Sequence, residues 1–517
     1  MTPNAVVSPH HLSAEAGRHV LLSGGNAVDA AVAVVAAQGV VAPETCGLGG
    51  DLFALIHAPG WERPRALNAS GRAGSGVDAD RLRSHGIVEI TGDHPEAVTI
   101  PGCVDGLATL VDELGTLGLP EVLAPAIDLA REGFAASTEL AHAFARQAGV
   151  YGAHPAVSDF YPEGTPVEVG DLVRRADLAA TLEEVASGGR EAFYGGTAGE
   201  DILEAVGGRI DRDDLTRVQA EWVDPIGVDV AGLTAWTTPP NTQGYLGPAT
   251  LAVFEGLGAP DDPSDPLWWH LLIEAYRCLA WERDDIVADP DHLVLPAELF
   301  LDEMRLERAA GNVDRERAGM WPKRMGDVSG TAYMCVADAS GMAVSVIQSN
   351  FHGTGSSFGA ARSGFLLHDR GRGFSLTPGH PNELAPGRRP LHTLSPTIWT
   401  EADQPRWVMG TRGGDVQPQL VAQLAARTVL GGVALDEAQA SPRWTVTEFA
   451  PGSPSHLVLE PGVPARVTAG LEARGHHIEV RAQPQPGWGP MSIIGLDGEQ
   501  RRAAADPRVD TTAALLF

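Results

Sequence analysis

The sequence predicts an α/β fold in which helices and β-sheets form stacked layers. Two observations lead to this prediction: helical patterns dominate up to residue 330, and short strand patterns dominate after it. A late helical stretch and three closing strands complete the alternation. Blocks of helices and of strands are typical of domains in which helices cover sheets. The 517 residues suffice for one large layered unit or for several domains.

The first part of the chain is mainly helical in pattern. Residues 11–43 predict two helices separated by Ser-Gly-Gly, and Asn26 is a candidate N-cap because its side chain can accept from the first free N–H groups. The glycine-rich "GLGGDLF" (47–53) predicts a turn that leads into a strand. Further helical stretches are expected at 103–150, 171–220 and 266–286.

The second part is dominated by short strands. The pattern predicts strands at 331–338, 342–349, 363–368, 394–399, 405–410, 456–460, 476–482 and 491–496, and a helix at 416–430. The first two strands flank Ala-Ser-Gly and predict a β-hairpin. This hairpin opens on Gly330-Thr331, and an ordinary hairpin has no need of a threonine at that point.

Composition excludes several classes of function. A net charge of −30 argues against nucleic acid and anionic membranes as partners. The one lysine, Lys323, leaves no phosphate-binding P-loop and no convincing Schiff-base site. The four cysteines are widely spaced, which argues against a structural zinc site and favours a reduced, cytoplasmic setting. The N-terminus lacks the pattern of a secretory signal, and the apolar run 31–43 is too short to span a membrane.

Thr331 is a candidate nucleophile. The residue before it, Gly330, has unusual backbone freedom. A polar segment precedes Gly330 in the chain. Cleavage of the Gly330–Thr331 bond would give Thr331 a free α-amine, whose pKa of about 7.7–8.0 leaves it partly neutral near pH 7. Such an amine can act as the base for the hydroxyl of its own threonine. A plain β-strand threonine is the alternative reading.

Gly413-Gly414 is a candidate oxyanion hole. The pair follows a predicted strand and precedes a predicted helix, where successive backbone N–H groups can hold an oxyanion. A tight strand–helix turn without catalytic function is the equally weighted alternative. The G-x-S-x-G match at 355–359 leads into another strand instead of a helix, so a serine-hydrolase elbow is disfavoured.

Other polar residues have weaker signals. Arg72, Arg370 and Arg388 lie in hydroxyl-rich loops and could each bind a substrate carboxylate, although a solvated surface arginine is the better reading of any one alone. His380 and His392 could be ligands or bases, but no paired residues at ligand spacing support a metal.

Eight segments together resemble the γ-glutamyltransferase family of N-terminal-nucleophile hydrolases, in family order and over nearly the whole chain. They are "GGNAVDAAVA", "GLGGDLF", "IPGCVDGL", "LAPAIDLAREGF", "PPNTQG", "TAYMCVADASGMAVSVIQSN", "RRPLHTLSPTI" and "GTRGGDVQPQ". The resemblance implies a four-layer αββα sandwich made by a chain that cuts itself before a threonine. A large subunit, 1–330, and a small subunit, 331–517, would come from this one precursor. By the same resemblance, Thr331 matches the nucleophile, Gly413 and Gly414 the oxyanion hole, and Ser349 a hydroxyl near the nucleophile's amine.

The positions that bind the γ-glutamyl group in the family differ here. Ser70 stands where the resemblance places an arginine for the α-carboxylate, with Arg72 two residues on. Phe351 replaces an asparagine. Arg370 and Gly373 replace the Gln and Asp that hold the α-amino group, and His392-Thr393 replace two serines. Loss of such contacts costs roughly 1.5–3 kcal/mol each, so ordinary γ-glutamyl transfer is not expected.

The sequence thus predicts a self-processing Thr hydrolase or acyltransferase of altered specificity, which needs no cofactor. A small-molecule substrate bearing a carboxylate is expected, and an oligomer is compatible with the sequence. Three alternatives stay open: a C–C bond hydrolase of natural-product biosynthesis, an ordinary γ-glutamyltransferase or glutathione hydrolase, and a non-maturing scaffold protein.

Overall fold

A computed structural model describes residues 2–321, 330–448 and 456–517. Residues 322–329, which include Lys323 and end directly before Gly330, lie outside the described residues. The elements up to residue 321 are β1 (Ala5–Ser8), α1 (His11–Leu22), α2 (Ala27–Val41), β2 (Asp51–His57), β3 (Arg65–Ala69), α3 (Ala79–Ser84), α4 (Cys103–Leu114), α5 (Leu119–Glu132), β4 (Phe134–Ala135), α6 (Thr138–Arg146), α7 (Ala148–Tyr151), β5 (Leu172–Val173), α8 (Ala176–Gly195), α9 (Thr197–Val206), α10 (Arg212–Thr216), β6 (Glu221–Val223), β7 (Ile226–Val230), β8 (Leu233–Thr237), α11 (Leu246–Gly256), α12 (Pro266–Ala280), α13 (Arg283–Ile286) and α14 (Glu303–Ala310).

The elements after residue 330 are shorter and richer in strands. They are β9 (Ala332–Ala337), β10 (Ala343–Ser349), β11 (Gly359–Ala360), β12 (Phe365–Leu366), β13 (Thr397–Glu401), β14 (Gln404–Thr411), α15 (Gln417–Ala425), α16 (Leu435–Ala440), β15 (Trp444–Glu448), β16 (His456–Leu459), α17 (Ala465–Ala473), β17 (His477–Val480), β18 (Met491–Asp497), β19 (Gln500–Ala504) and β20 (Ala513–Leu516).

Two large sheets form the centre of the molecule. One has seven strands in the order β20-β1-β9-β10-β2-β3-β6, and the other has six in the order β19-β18-β14-β13-β8-β7. The strands within both sheets pair antiparallel. The sheets lie face to face, with β9 and β10 against β14 and β18. A core of aromatic and aliphatic side chains, including Tyr333, Phe53 and Ile398, fills the space between them.

Helices cover the outer face of each sheet, which completes four layers. α2 packs on β9 and β10, with α1, α4 and α5 around it. Its residues are almost all buried, as expected for a helix that is apolar on every side. On the other side of the molecule, α11 packs against β7 and β8, and α15 packs against β14. The order is therefore helix, sheet, sheet, helix, with a separate apolar core at each outer interface.

Several local predictions are confirmed. The hairpin forms as β9 and β10, and Asn26 caps α2 by accepting from the N–H groups of Val28 and Asp29. The predicted helix at 416–430 is α15 followed by one π-helical turn at Ala426–Leu430. The strand predicted at 363–368 is confined to Phe365–Leu366, because Gly364 has a positive φ of 73° that interrupts extended backbone. Among the described residues, no helix combines the length and apolarity that crossing a bilayer requires.

Candidate active site

Strand register places three polar side chains side by side. Ser349 of β10 pairs with Asp51 of β2, and on the other side Gln348 pairs with Ala332, so the next position along lies opposite Thr331. Directly opposed residues of a sheet project to the same face. Tyr333, Ile347 and Phe53, two residues further along the same strands, belong to the core between the sheets. The row of Thr331, Ser349 and Asp51 therefore faces the interior between the two sheets.

Thr331 is buried and lies against the carbonyl group that precedes it. Its Oγ1 donates to Gly330 O at 2.6 Å and lies 3.2 Å from Ser349 Oγ. Ser349 Oγ also donates to Gly330 O, at 2.9 Å, and accepts from Phe351 N at 2.8 Å. A Cβ on Gly330 would lie 2.9 Å from the Cα of Gly353, so this position has room only for glycine. Two hydroxyl groups thus converge on one peptide carbonyl.

The Gly413-Gly414 turn lies between β14 and α15. Both residues have positive φ, 130° and 56°, a backbone region that glycine adopts without strain. Their N–H groups have no hydrogen-bond acceptor within the described parts of the chain. Gln243 holds the turn, since its Nε2 donates to Gly414 O at 3.0 Å and to Thr393 O at 3.1 Å. The turn therefore offers two backbone donors in a fixed position.

Gln417, the first residue of α15, also reaches Thr331. Its Nε2 lies 3.5 Å from Thr331 Oγ1, and the side chain is fully buried. Its Oε1 has no hydrogen-bond partner among the described residues.

Arg370 lies behind Phe351. Its guanidinium stacks 3.8 Å from the centre of the Phe351 ring, and its Nη1 donates to Thr393 Oγ1 at 3.3 Å. Nε and Nη2 are buried and have no hydrogen-bond partner in the described structure. Burial lowers the pKa of Arg370 to about 10, against the opposing effect of Asp51, Asp369 and Asp415, so the group is a cation at neutral pH. Nε and Nη2 are therefore charged donor groups that no described residue occupies.

His392 and Asp51 form a fully buried pair. His392 Nε2 lies 3.1 Å from Asp51 Oδ2, while Oδ1 accepts from the backbone N–H of Gly71 at 2.9 Å and of Gly102 at 3.3 Å. Burial and the nearby Arg370 lower the pKa of His392 to about 3. Burial raises the pKa of Asp51, but His368, His392 and Arg370 outweigh it and hold that pKa at about 2. At neutral pH the pair is a carboxylate that accepts from a neutral imidazole.

Ser70 and Arg72 are engaged with other side chains. Ser70 Oγ donates to Asn68 Oδ1 at 2.7 Å and accepts from Asn241 Nδ2 at 3.3 Å. Arg72 Nη2 pairs with Glu221 of β6 at 2.5 Å. Ser70 therefore lies near Asp51, which accepts from the N–H group of the next residue, Gly71. The side chain of Arg72 points towards β6.

A cavity of about 390 Å³ adjoins this cluster. Its wall includes Phe351, His352, Arg372, Gly373, His380, Thr393 and Asp415. Asp415 follows the glycine turn and forms an ion pair with Arg283, whose Nη1 also donates to Gln243 Oε1 at 2.6 Å. Of the predicted substrate-binding residues, Phe351 and Thr393 line this cavity together with Asp415, the residue after the glycine turn. The fully buried Arg370 lies behind Phe351 and is not part of the cavity wall.

One group of residues has the spacing of metal ligands within the described ranges: His270, Glu274 and His476. The two imidazoles contact each other at 2.8 Å, between His270 Nδ1 and His476 Nε2. Glu274 pairs with Arg277 and accepts from Gly319 N and Trp321 Nε1. Contacts with the protein itself thus occupy the ligand atoms of this group.

Four residues of the site carry contacts that the sequence pattern left unassigned: Asp51, Gln243, Arg283 and Gln417. Asp51, Gln243 and Gln417 lie inside "GLGGDLF", "PPNTQG" and "GTRGGDVQPQ", three of the segments quoted above. A buried Asp within an otherwise apolar strand was the available signal, because a carboxylate in that position needs partners.

The His392–Asp51 pair predicts a particular acid sensitivity of the fold. The folded protein keeps His392 neutral down to about pH 3, whereas the unfolded chain protonates it below about pH 6.5, so acid favours unfolding in this window. Between pH 6.5 and about pH 4.5 this group should remove about 2–3 kcal/mol of unfolding free energy. The decrease in unfolding free energy between these two pH values should be smaller in His392→Gln than in the parent protein by about 2–3 kcal/mol. Urea unfolding of both proteins at each pH measures it. Equal pH dependence of the two proteins would contradict the assignment.

Comparison with known proteins identifies the family. Residues 13–516 match the family model described as gamma-glutamyltranspeptidase. The glutathione hydrolase-like YwrD proenzyme of Bacillus subtilis is 33% identical, with 99% of this chain and 98% of that protein covered. The oxamate amidohydrolase proenzyme of Klebsiella pneumoniae is 34% identical, again with 99% and 98% covered.

The solved structures agree with the fold. Cephalosporin acylase from Bacillus halodurans superposes with a TM-score of 0.91 at 30% identity, with 99% of this chain and 96% of that one covered. The predicted four-layer architecture and the predicted family are both confirmed. The chain belongs to the γ-glutamyltranspeptidase family of N-terminal-nucleophile hydrolases.

Proposed function

We propose that this protein is a self-processing hydrolase or acyltransferase in which Thr331 is the nucleophile. Its substrates are small molecules with an amide or related carbonyl bond and a carboxylate, without a free α-amine. The observation that carries the proposal is that Thr331 Oγ1 contacts both Gly330 O and Ser349 Oγ and lies 3.5 Å from Gln417, which follows the glycine turn by three residues. An ordinary strand threonine needs none of these neighbours.

Self-cleavage begins with attack of Thr331 Oγ on the carbonyl carbon of Gly330. The Gly330–Thr331 C–N bond breaks as an ester forms, and the hydroxyl proton passes to the departing nitrogen. Water then hydrolyses the ester, which restores the hydroxyl and leaves Gly330 with a carboxylate. Ser349 Oγ already donates to Gly330 O and can hold the negative charge that develops there. The products are subunits 1–330 and 331–517.

The freed α-amine of Thr331 then serves as the base in turnover. It takes the proton of Oγ as this atom attacks the substrate carbonyl, and returns it to the leaving group. The N–H groups of Gly413 and Gly414 stabilise the oxyanion, and water or an amine releases the acyl group.

Arg370 supports the choice of a carboxylate-bearing substrate. Its Nε and Nη2 are buried donors on a cation, and such donors form strong hydrogen bonds with a carboxylate. Phe351 covers the guanidinium and lines the cavity, so an apolar surface meets the rest of the acyl chain. One relative is named an oxamate amidohydrolase and one structural neighbour a cephalosporin acylase. Oxamate is itself an amide that bears a carboxylate.

Maturation provides the first test. The purified protein should separate into fragments 1–330 and 331–517 on a denaturing gel, while Thr331→Ala should stay whole because it lacks the attacking hydroxyl. Sequencing of the new N-terminus should begin at Thr331. An intact parent chain, or a cut at another bond, would refute the proposed mechanism.

Ser349→Ala should slow this cleavage. The variant loses the hydroxyl donor on Gly330 O, and loss of one oxyanion donor typically costs about 10²–10³ in rate. Ser345→Ala is a matched control on the same strand, because Ser345 Oγ contacts Tyr333 OH instead of the scissile bond. Time courses of cleavage, with thermal unfolding of each variant as a check of folding, make the comparison. Equal rates for the two variants would remove Ser349 from the reaction.

Donor choice tests the role of Arg370. The matured enzyme should prefer glutaryl-anilide to γ-glutamyl-anilide by at least about tenfold in kcat/KM, because the added ammonium would be buried next to a cation. Arg370→Met should reduce the use of glutaryl-anilide much more than that of the uncharged butyryl-anilide.

Arg372→Met is the control for that variant, since Arg372 lines the cavity and its guanidinium pairs with Asp369 at 3.2 Å. A parent enzyme that prefers γ-glutamyl-anilide would show that the acyl site binds an ordinary glutamyl group.

A further inference from the structure

The buried glutamines of α15 differ in what they bind. Gln419 clamps β15, with Nε2 donating to Val446 O at 3.0 Å and Oε1 accepting from Val446 N at 2.7 Å. Gln423 binds Trp444 in the same two-bond manner. Gln417 makes no such clamp: its amide points to Thr331 Oγ1 and leaves Oε1 without a partner in the described structure. The fold thus uses the amides of Gln419 and Gln423 fully and leaves that of Gln417 available.

We propose that Gln417 is a third oxyanion-hole donor, acting through its side-chain amide beside the backbone N–H groups of Gly413 and Gly414. This inference rests on the proposed function of Thr331. In the tetrahedral intermediate, the oxyanion and Thr331 Oγ1 are bonded to the same carbon. A donor 3.5 Å from Oγ1, three residues beyond Gly414, is therefore within reach of that oxyanion.

The same contacts separate this role from self-cleavage. Before cleavage, Gly330 O accepts from the hydroxyl groups of Thr331 and Ser349, whereas the amide of Gln417 donates to Thr331 Oγ1 and not to Gly330 O among the described residues. A substrate carbonyl instead enters from the cavity, where Asp415 continues the glycine turn towards Gln417. Self-cleavage therefore depends on Ser349, and turnover depends on Gly413, Gly414 and Gln417.

Two variants of Gln417 test the inference with glutaryl-anilide as the probe. Gln417→Met retains the size of the side chain and removes the donor, so it should cleave itself at the parental rate. Its kcat should fall by about 10²–10³ while KM changes little. Gln419→Met is the matched control: it should unfold at a lower temperature and keep the parental kcat per cleaved molecule.

Gln417→Glu gives a signature that a structural role would not produce. An ionised carboxylate repels the oxyanion, whereas a protonated carboxyl group donates an O–H. The ratio of its kcat to the parental kcat should therefore rise as pH falls from about 8 to 5. If Gln417→Met does not fold, the pH dependence of Gln417→Glu still tests the inference.

Each outcome is decisive. A cleaved Gln417→Met with kcat within about threefold of the parent, or a Gln417→Glu ratio that does not change with pH, would overturn this inference and leave Thr331 as the nucleophile. Equal loss of cleavage and turnover in both Gln417 variants would assign the residue to the fold and overturn the inference as well. A parent chain that never cleaves would overturn the proposed function and this inference together.

Discussion

The antiparallel register of β9, β10 and β2 is the constraint on which the site depends. A shift of one residue would turn Thr331, Ser349 and Asp51 towards the helical layer and bring their neighbours to the interior face. The register is secured by apolar side chains of the same strands, such as Tyr333 and Phe53, which fill the core between the sheets. Since β9 begins at Ala332, cleavage before Thr331 would break none of its strand pairs. Both large sheets also mix strands from before and after this bond, so the two fragments would stay held together by shared hydrogen bonds and cores.

Charge around the site is balanced internally, which refines the basis of substrate choice. The buried guanidinium of Arg370 has three acidic neighbours, Asp51, Asp369 and Asp415. The structure places the buried Asp51 carboxylate within electrostatic reach of this guanidinium, and that carboxylate already accepts from His392, Gly71 and Gly102. Net repulsion of an ammonium group is therefore weaker than that from an isolated cation. In the proposed function, the unpaired Nε and Nη2 of Arg370 can donate to a carboxylate but cannot accept from an ammonium, so an added α-amine gains no partner there.

Local patterns predicted the elements that depend on local physics. The hairpin, the Asn26 cap and the helices α1, α2 and α12 follow from turn residues, capping and apolar spacing. Short strands such as β1, β6 and β20 carry too few residues for a period to be recognised, and only their partners define them. The same limit applies to the site. Thr331 and the glycine turn have recognisable local sequences, but the roles of Asp51 and Gln243 arise from contacts across the chain, such as the 341 residues that separate Asp51 from His392. Such pairing has no local signature.

Gln243 connects the loop that contains Thr393 with the Gly413-Gly414 turn. One amide nitrogen donates both to Thr393 O, in the loop beside Arg370, and to Gly414 O, in the turn beside Thr331. Its oxygen accepts from Arg283, which in turn pairs with Asp415 next to the same turn. A displacement of the loop on binding an acyl chain would therefore be transmitted to the glycine N–H groups through a single side chain. An oxyanion hole acts through donors that are already in place. In the proposed mechanism, this bridge would therefore couple binding of the distant end of the substrate to the position of the reacting carbonyl.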